Sequence, residues 1–360
     1  RPAFGFVFAA PTLPLGEVLQ SVRAVAQGAQ IVGCSTAGEI TERGLTHDGV
    51  AVMLVATDLH HFGSTASGIG KDPEAAAQEL CSGFVSNQAA ARKKGMFCST
   101  SIALLDGLCP SGERFVESVV SNTTALHQVV GGAAGDEGKF RETQVGFGGT
   151  VGSDRASALH VFDRTPWGIG IGHGLEPTTG RMLVTRAKGN VVHEIEGKPA
   201  FAVYQDHARS HGVTLRAENA GEYMIGNELG IIQAGVVSRA RAPLSVGADG
   251  SLTCAASIPQ GSYVSILDGK ADAMVQAASN AAEEAIAGLQ GREPAGVLLF
   301  DCICRGLILK DQFRREILAV RAVVGDVPVA GFLTYGEIAS YAGRLESWHN
   351  TTAVALVIPR

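Results

Sequence analysis

Charge is scarce in this chain of 360 residues and is nowhere concentrated: 18% of the residues are charged, and 29 Lys and Arg against 35 Asp and Glu leave a net charge of −6. Without a basic stripe to neutralise phosphates, DNA and RNA are excluded as primary partners. Long apolar runs are missing too. The longest, such as Val50 to Ala56, fall far short of the roughly 18 to 20 residues that a membrane helix needs, so no membrane insertion is expected. There is no disulfide framework either: seven cysteines, an odd number, are spread over the whole length. That usage fits a reducing compartment, and the cytoplasm is the expected location. The opening Arg1-Pro2-Ala3-Phe4 lacks a methionine and reads as a trimmed start, which leaves export undecided.

What the chain has in excess is glycine, 46 of 360 residues, nearly double the usual share of about 7%. These glycines stand at the ends of short apolar runs, where a chain leaving a strand needs positive φ or a close backbone approach. Comparing the junctions exposes a repeat. Ile31-Val-Gly-Cys-Ser-Thr-Ala-Gly-Glu-Ile40 and Val329-Ala-Gly-Phe-Leu-Thr-Tyr-Gly-Glu-Ile338 share Gly, Thr, Gly, Glu and Ile at one spacing. Each is followed by a polar loop and an apolar run, His47-Asp48-Gly49 before Val50 and His349-Asn350-Thr351 before Ala353. A looser relative, one residue shorter, runs from Val129 to Asp136. The expected fold is mixed α/β, two related halves covering residues 1–190 and 191–360, with sheets covered by helices.

Helical spacing is read at Leu15, Val18, Leu19, Val22 and Ala26, and at Ala76, Leu80 and Phe84 behind Asp72-Pro73. Two later helices are expected behind Asp272 and Asp311 as caps. Strands are expected at Phe4–Ala9, Val50–Thr57, Ser101–Leu105, Ala156–Phe162, Met182–Arg186, Gly230–Val237, Tyr263–Leu267, Gly296–Phe300 and Thr352–Val357. The segment Gly168-Ile-Gly-Ile-Gly-His-Gly174 alternates glycine with larger residues, a strand with one bare face for another backbone or a flat ligand.

Nucleotide motifs fail, since Phe140 stands where a phosphate loop needs Ser or Thr after Gly138-Lys139. Cys302-Ile303-Cys304-Arg305 follows a buried strand, where Arg305 could favour a thiolate, so a cysteine-dependent enzyme using Cys302 is one reading. His207 and His211 are four apart on a helix, but no third metal ligand accompanies them. The duplicated Thr-x-Gly-Glu offers hydroxyls at Thr36 and Thr334, carboxylates at Glu39 and Glu337, and open main chain at Gly38 and Gly336. That set suits a small zwitterion, and equally suits loops held shut by their own glutamates.

These residues resemble a known family. Ile31 to Ile40 resembles the signature of the FIST N-terminal domain. Cys302 to Arg305, Gly331 to Ile338 and His349 to Thr352 resemble the FIST C-terminal domain, and Val184–Ala187 through Gly197–Ala200 resembles the stretch joining the two. The resemblance implies a non-catalytic sensory pair that binds a small ligand, an amino acid or similar polar molecule, and signals to a partner. Some relatives are haem proteins that sense nitric oxide and act on a histidine kinase. Matching the family motifs, the implied ligand residues are Thr36, Gly38, Glu39, Cys302, Arg305, Thr334, Tyr335, Gly336, Glu337 and Asn350. A haem would take His173 as axial ligand, or else His193 or Cys302. A homo-oligomer is a further expectation.

Overall fold

A computed structural model describes residues 1–123, 127–341 and 347–360. It shows the expected mixed α/β class, built from three copies of one unit rather than from a single duplication. In each copy two parallel strands are joined by a helical crossover, and an antiparallel strand lies on the far side of the first. The first copy consists of strand Phe4–Ala9, helix Leu15–Val25, strand Gln30–Ser35 and the antiparallel Val50–Val55. The second has Cys98–Leu105, helix Gly112–Asn122, His127–Ala133 and Arg155–Asp163. The third has Pro294–Cys302, helices Ile303–Leu309 and Phe313–Val324, Val329–Thr334 and Ala353–Pro359.

Glycine marks the same place in all three. Gly33, Gly131 and Gly331 stand in register with Val7, Ala103 and Leu299 of the neighbouring parallel strand. A Cβ there would come within 2.6, 1.9 and 1.9 Å of those residues' carbonyl oxygens, so no side chain fits. The copies also share one hydrogen bond at the end of the first strand: Ala10 N–H to the Gly49 carbonyl, Asp106 to Arg155, and Cys302 to Thr352.

After its second parallel strand each copy hands a short strand to a neighbour. Glu39–Thr41 pairs with Val329–Thr334 of the third copy. Glu337–Ser340 pairs with His127–Ala133 of the second, and Val145–Phe147 with Gln30–Ser35 of the first. The exchange is therefore cyclic. Inside it lies a common core where Phe6 and Phe8 meet Ile102 and Leu104, and Phe300 and Phe332. The Phe8 and Phe332 rings stack with centroids 4.8 Å apart. Each buried aromatic contributes about 2 kcal/mol from its apolar area.

The alternating-glycine segment forms strand Gly168–Gly172 at the edge of the third sheet. Its bare face receives another backbone, the helix Ala271–Gly288. Cβ atoms built at Gly168, Gly170, Gly172 and Gly174 would lie 1.9, 1.8, 2.4 and 2.5 Å from the carbonyl oxygens of Ala285, Ala281, Ala277 and Ala273. Two strand residues rise about 6.6 Å and four helix residues about 6 Å. The two periods nearly coincide, which lets helix and strand run side by side for four contacts.

Between that strand and that helix the chain inserts residues 175–269 as a lobe with its own core around Val184, Tyr204, Leu229, Leu252 and Ile266. Its strands belong to a nine-stranded sheet. Residue 190, the expected boundary between the two halves, lies in the turn of a hairpin that pairs Lys188 with Val191.

Several local expectations are corrected. Gly230–Val237 is two strands, Asn227–Gln233 and Val236–Arg241, because Ala234 and Gly235 take φ of 48° and 87° in a tight turn. Asp272 is no cap: Lys270 holds that position, and the Asp272 carboxylate binds Arg315 at 2.5 Å. Asp311 lies within the 3-10 turn Lys310–Gln312, before the helix that starts at Phe313. Asp72 does cap its helix, accepting from Ala75 N–H at 2.9 Å, but Phe84 opens a separate helix after Gly83 turns left-handed. The two polar loops align one residue later than their sequences indicate: Asp48 and Thr351, with φ of 63° and 54°, are equivalent.

Candidate functional site

The duplicated glutamates are held in one way. Thr36 Oγ1 donates to Glu39 Oε1 at 2.5 Å, and Thr334 Oγ1 to Glu337 Oε1 at 2.5 Å. The other oxygen of each accepts a main-chain N–H from the following polar loop, Gly49 at 3.0 Å for Glu39 and Thr352 at 3.1 Å for Glu337. Both carboxylates thus fasten the chain to itself. Burial raises both carboxyl pKa values. For Glu39 the Thr36 and Gly49 hydrogen bonds and His47 pull the other way; for Glu337 the raise is larger, with Cys302 adding to it. The second copy does the same with Asp136, which accepts from the Tyr335 hydroxyl and from the amides of Phe140, Arg141 and Glu142. Burial alone would raise Asp136; these hydrogen bonds, Tyr335 first, bring it below the usual carboxylate range.

The expected site residues do not converge on one point. Thr36, Gly38 and Glu39 sit where the first copy's loop meets the third copy's strand, Ala37 N–H bonding Leu333 and Leu333 N–H bonding Gly38. Tyr335 stacks on Phe140 at 4.8 Å, and Gly336 lies against the Trp348 indole, where a Cβ would come within 2.2 Å. Cys302, Arg305, Glu337 and Asn350 form a separate, fully buried group in the third copy.

Arg305 is the hub of that group. Its guanidinium donates to the His173 carbonyl at 2.6 Å, the Met274 carbonyl at 2.9 Å, the Thr351 carbonyl at 3.5 Å and Glu316 Oε1 at 2.8 and 3.1 Å. Asp301 Oδ1 lies 3.0 Å from its Nε. Two carboxylates thus face one cation in a site without water access. Burial, then the Glu316 charge, pushes the Asp301 carboxyl well up. Glu228, hydrogen-bonded by the Thr351 hydroxyl, is pushed up to about 8 by burial.

In front of the hub opens a cavity of about 260 Å3. Its walls are the strand end from Ile171 to Gly174, Val237 to Arg239 of the inserted lobe, Ala277 and Asn280 of the long helix, and His349 and Thr352. Arg305 bonds three of these walls from behind. Arg239, Ser238 and Asn280 belong to no motif and are invisible to sequence reading. Ser238 is the extra residue of a β-bulge, since Ile231 pairs with Arg239 but Ile232 with Val237; its hydroxyl donates to the Ile231 carbonyl at 3.2 Å, and the bulge brings Val237 to Arg239 to the cavity wall. A larger space of about 370 Å3 borders Trp167 and Arg292. There Arg292 already pairs with Asp163 at 2.8 Å.

Residues 3–198 match the model of the FIST N domain and residues 200–340 that of the FIST C domain. The chain belongs to the FIST family. FIST domains are sensory domains of signal transduction. An uncharacterized protein of Methanocaldococcus jannaschii is 37% identical over 76 residues, 21% of this chain and only 15% of that protein's length. Phosphoribosylformylglycinamidine synthase II of Thermotoga maritima aligns with 99% of this chain and 65% of its own, at 12% identity and a TM-score of 0.20, which carries no structural weight. Among the described residues no helix is long and apolar enough to cross a membrane.

The FIST resemblance raises haem, and the residues present do not fit it. His173 Nδ1 accepts from the Leu175 N–H at 3.0 Å, which places the proton on Nε2 and leaves neither nitrogen open to iron. Burial, then Arg305, lowers the pKa of this histidine. His193 Nδ1 faces Asp249 at 3.4 Å on the surface of the lobe. Burial holds the Cys302 thiol well above its ordinary value, with Cys304 adding to it, and Arg305 is taken up by Glu316 and Asp301. The arginine therefore does not favour a thiolate. His207 bonds Tyr223 and Thr178 through its two nitrogens, so the His207–His211 pair is not a metal site.

Proposed function

We propose that this FIST protein senses a small polar molecule that enters the cavity between the glycine strand, the bulged hairpin of the lobe and the long helix. The observation that carries the reading is Arg305, which bonds the main chain of three cavity walls at His173, Met274 and Thr351. A ligand that shifts any one wall works against all three, and buried ionic clusters respond in discrete rearrangements. The volume suits a molecule of amino-acid size, not a porphyrin. In this reading Glu337, Cys302 and Asn350 shape the wall carrying Thr352, and Thr36 and Glu39 keep the equivalent loop closed in the first copy. The bound state is read by a separate signalling protein, a histidine kinase being the partner class that the family implies.

Asn280 lies exposed at the cavity mouth on the long helix, so Asn280→Trp fills the mouth without disturbing the core. Purified wild-type protein is expected to carry a small molecule that mass spectrometry detects after denaturation and that Asn280→Trp lacks. Identical extracts from the two proteins would sink the reading.

A further inference from the structure

Resting on the cavity being the ligand site, we propose that it selects a small monocarboxylate, clasped by Arg239, over a zwitterion or a cation. Arg239 makes no ion pair among the described residues, and its Nε is buried without a hydrogen-bond partner. A guanidinium is a planar fork that matches a carboxylate through two parallel hydrogen bonds. Around it the cavity offers the Asn280 amide, while the Ser238 and Thr352 hydroxyls donate to the Ile231 and Asn350 carbonyls, and the described lining contains no Asp or Glu. The ammonium group of a free amino acid would find no counter-charge there, whereas its carboxylate would.

The nearby carboxylates are otherwise engaged. Glu113 binds Arg241 at 2.8 Å and the Ser257 amide at 3.0 Å, and Glu284 accepts from the Ile171 N–H at 3.2 Å. Glu117 feels the Arg239 charge without forming an ion pair with it. One guanidinium balances one negative charge, which favours a monocarboxylate over a phosphate dianion.

The test measures thermal midpoints and affinities at fixed ionic strength with acetate, lactate, inorganic phosphate, glycine and ethylamine, on wild type, Arg239→Gln, Arg239→Lys and Asn280→Trp. Lactate and acetate are expected to stabilise wild type. Arg239→Gln weakens them about tenfold or more, and Arg239→Lys weakens them less. Tighter binding of glycine than of lactate, abolished by Asn280→Trp, overturns the carboxylate assignment and leaves the cavity as the ligand site. Phosphate binding more tightly than lactate overturns the choice of anion. A carboxylate response that Arg239→Gln does not weaken removes Arg239 from the site. No response to any probe, or one that Asn280→Trp leaves unchanged, overturns both the class and its siting in the cavity.

Discussion

The loops after Gln30–Ser35 and after Val329–Thr334 make the same two hydrogen bonds to equivalent glutamates, and the second backs the cavity that Arg239 lines. In the first, Glu39 reaches Gly49 ten residues on, beside His47 and Thr46 at the edge of the molecule. In the second, Glu337 reaches Thr352 fifteen residues on, and behind the loop stand Arg305, Asp301, Glu316 and Glu228. Ala9 occupies the strand position of Asp301 in the first copy. A repeated frame thus tolerates an ionic cluster at one junction and a plain closed loop at another. The inserted lobe leaves and rejoins the chain in the copy that has the cluster, and it reaches the second copy through Glu113, which binds Arg241 and Ser257.

Removing the hub breaks the comparison most sharply. Arg305→Met leaves Asp301 and Glu316 buried without a cation and is expected to cost about 3 to 5 kcal/mol in urea denaturation. A loss below about 1 kcal/mol would mean that the third junction does not depend on its cluster. Next comes the paired truncation of the glutamates. Glu337→Ala orphans two buried donors and is expected to cost about 3 kcal/mol, while Glu39→Ala, whose donors are nearer water, costs about 1 kcal/mol. Equal losses would erase the distinction between the loops.

The smallest effect is the pH profile. Glu228 holds a folded pKa of about 8 against an ordinary 4.5. Its stabilising contribution is complete below about pH 4.5 and is lost as pH rises through 8, and Glu228→Gln should flatten that slope. The second copy has the opposite behaviour. His127 and His160, linked through Ser101, are lowered to about 3 and about 4 by burial. Their contribution is complete above about pH 6.5 and is lost as pH falls towards those values, and His160→Gln should reduce that acid loss. Unfolding midpoints from pH 4 to 9 check both limbs.

The sequence shows the repeat plainly where geometry forces identity. Only glycine fits against the Val7 and Leu299 carbonyls, and a Thr three residues before a Glu closes the loop in both copies. The second copy is faint because the carboxylate is Asp136, one residue closer to its glycine, and its donors come from a different loop. The glycine strand is legible since each bare position meets a helix carbonyl. Arg239 is not, because a bulge is a mismatch between strands and leaves no mark on either one alone. Arg305 stands out in sequence as a motif residue, but its partners Glu316 and Asp301 become meaningful only when helix and strand are folded together.

The cyclic handing-on of strands has a consequence for the history and handling of the chain. Three separate copies of one strand–helix–strand–strand peptide, each lending the short strand that follows its second parallel strand to a neighbour, would close into the same ring, so a strand-swapped trimer of a short ancestor is a structure this fold can accommodate. Cutting the present chain between the two family segments would withdraw Glu337–Ser340 from His127–Ala133 and Val329–Thr334 from Glu39–Thr41. Each fragment would then carry an open sheet edge, and such edges seek other chains.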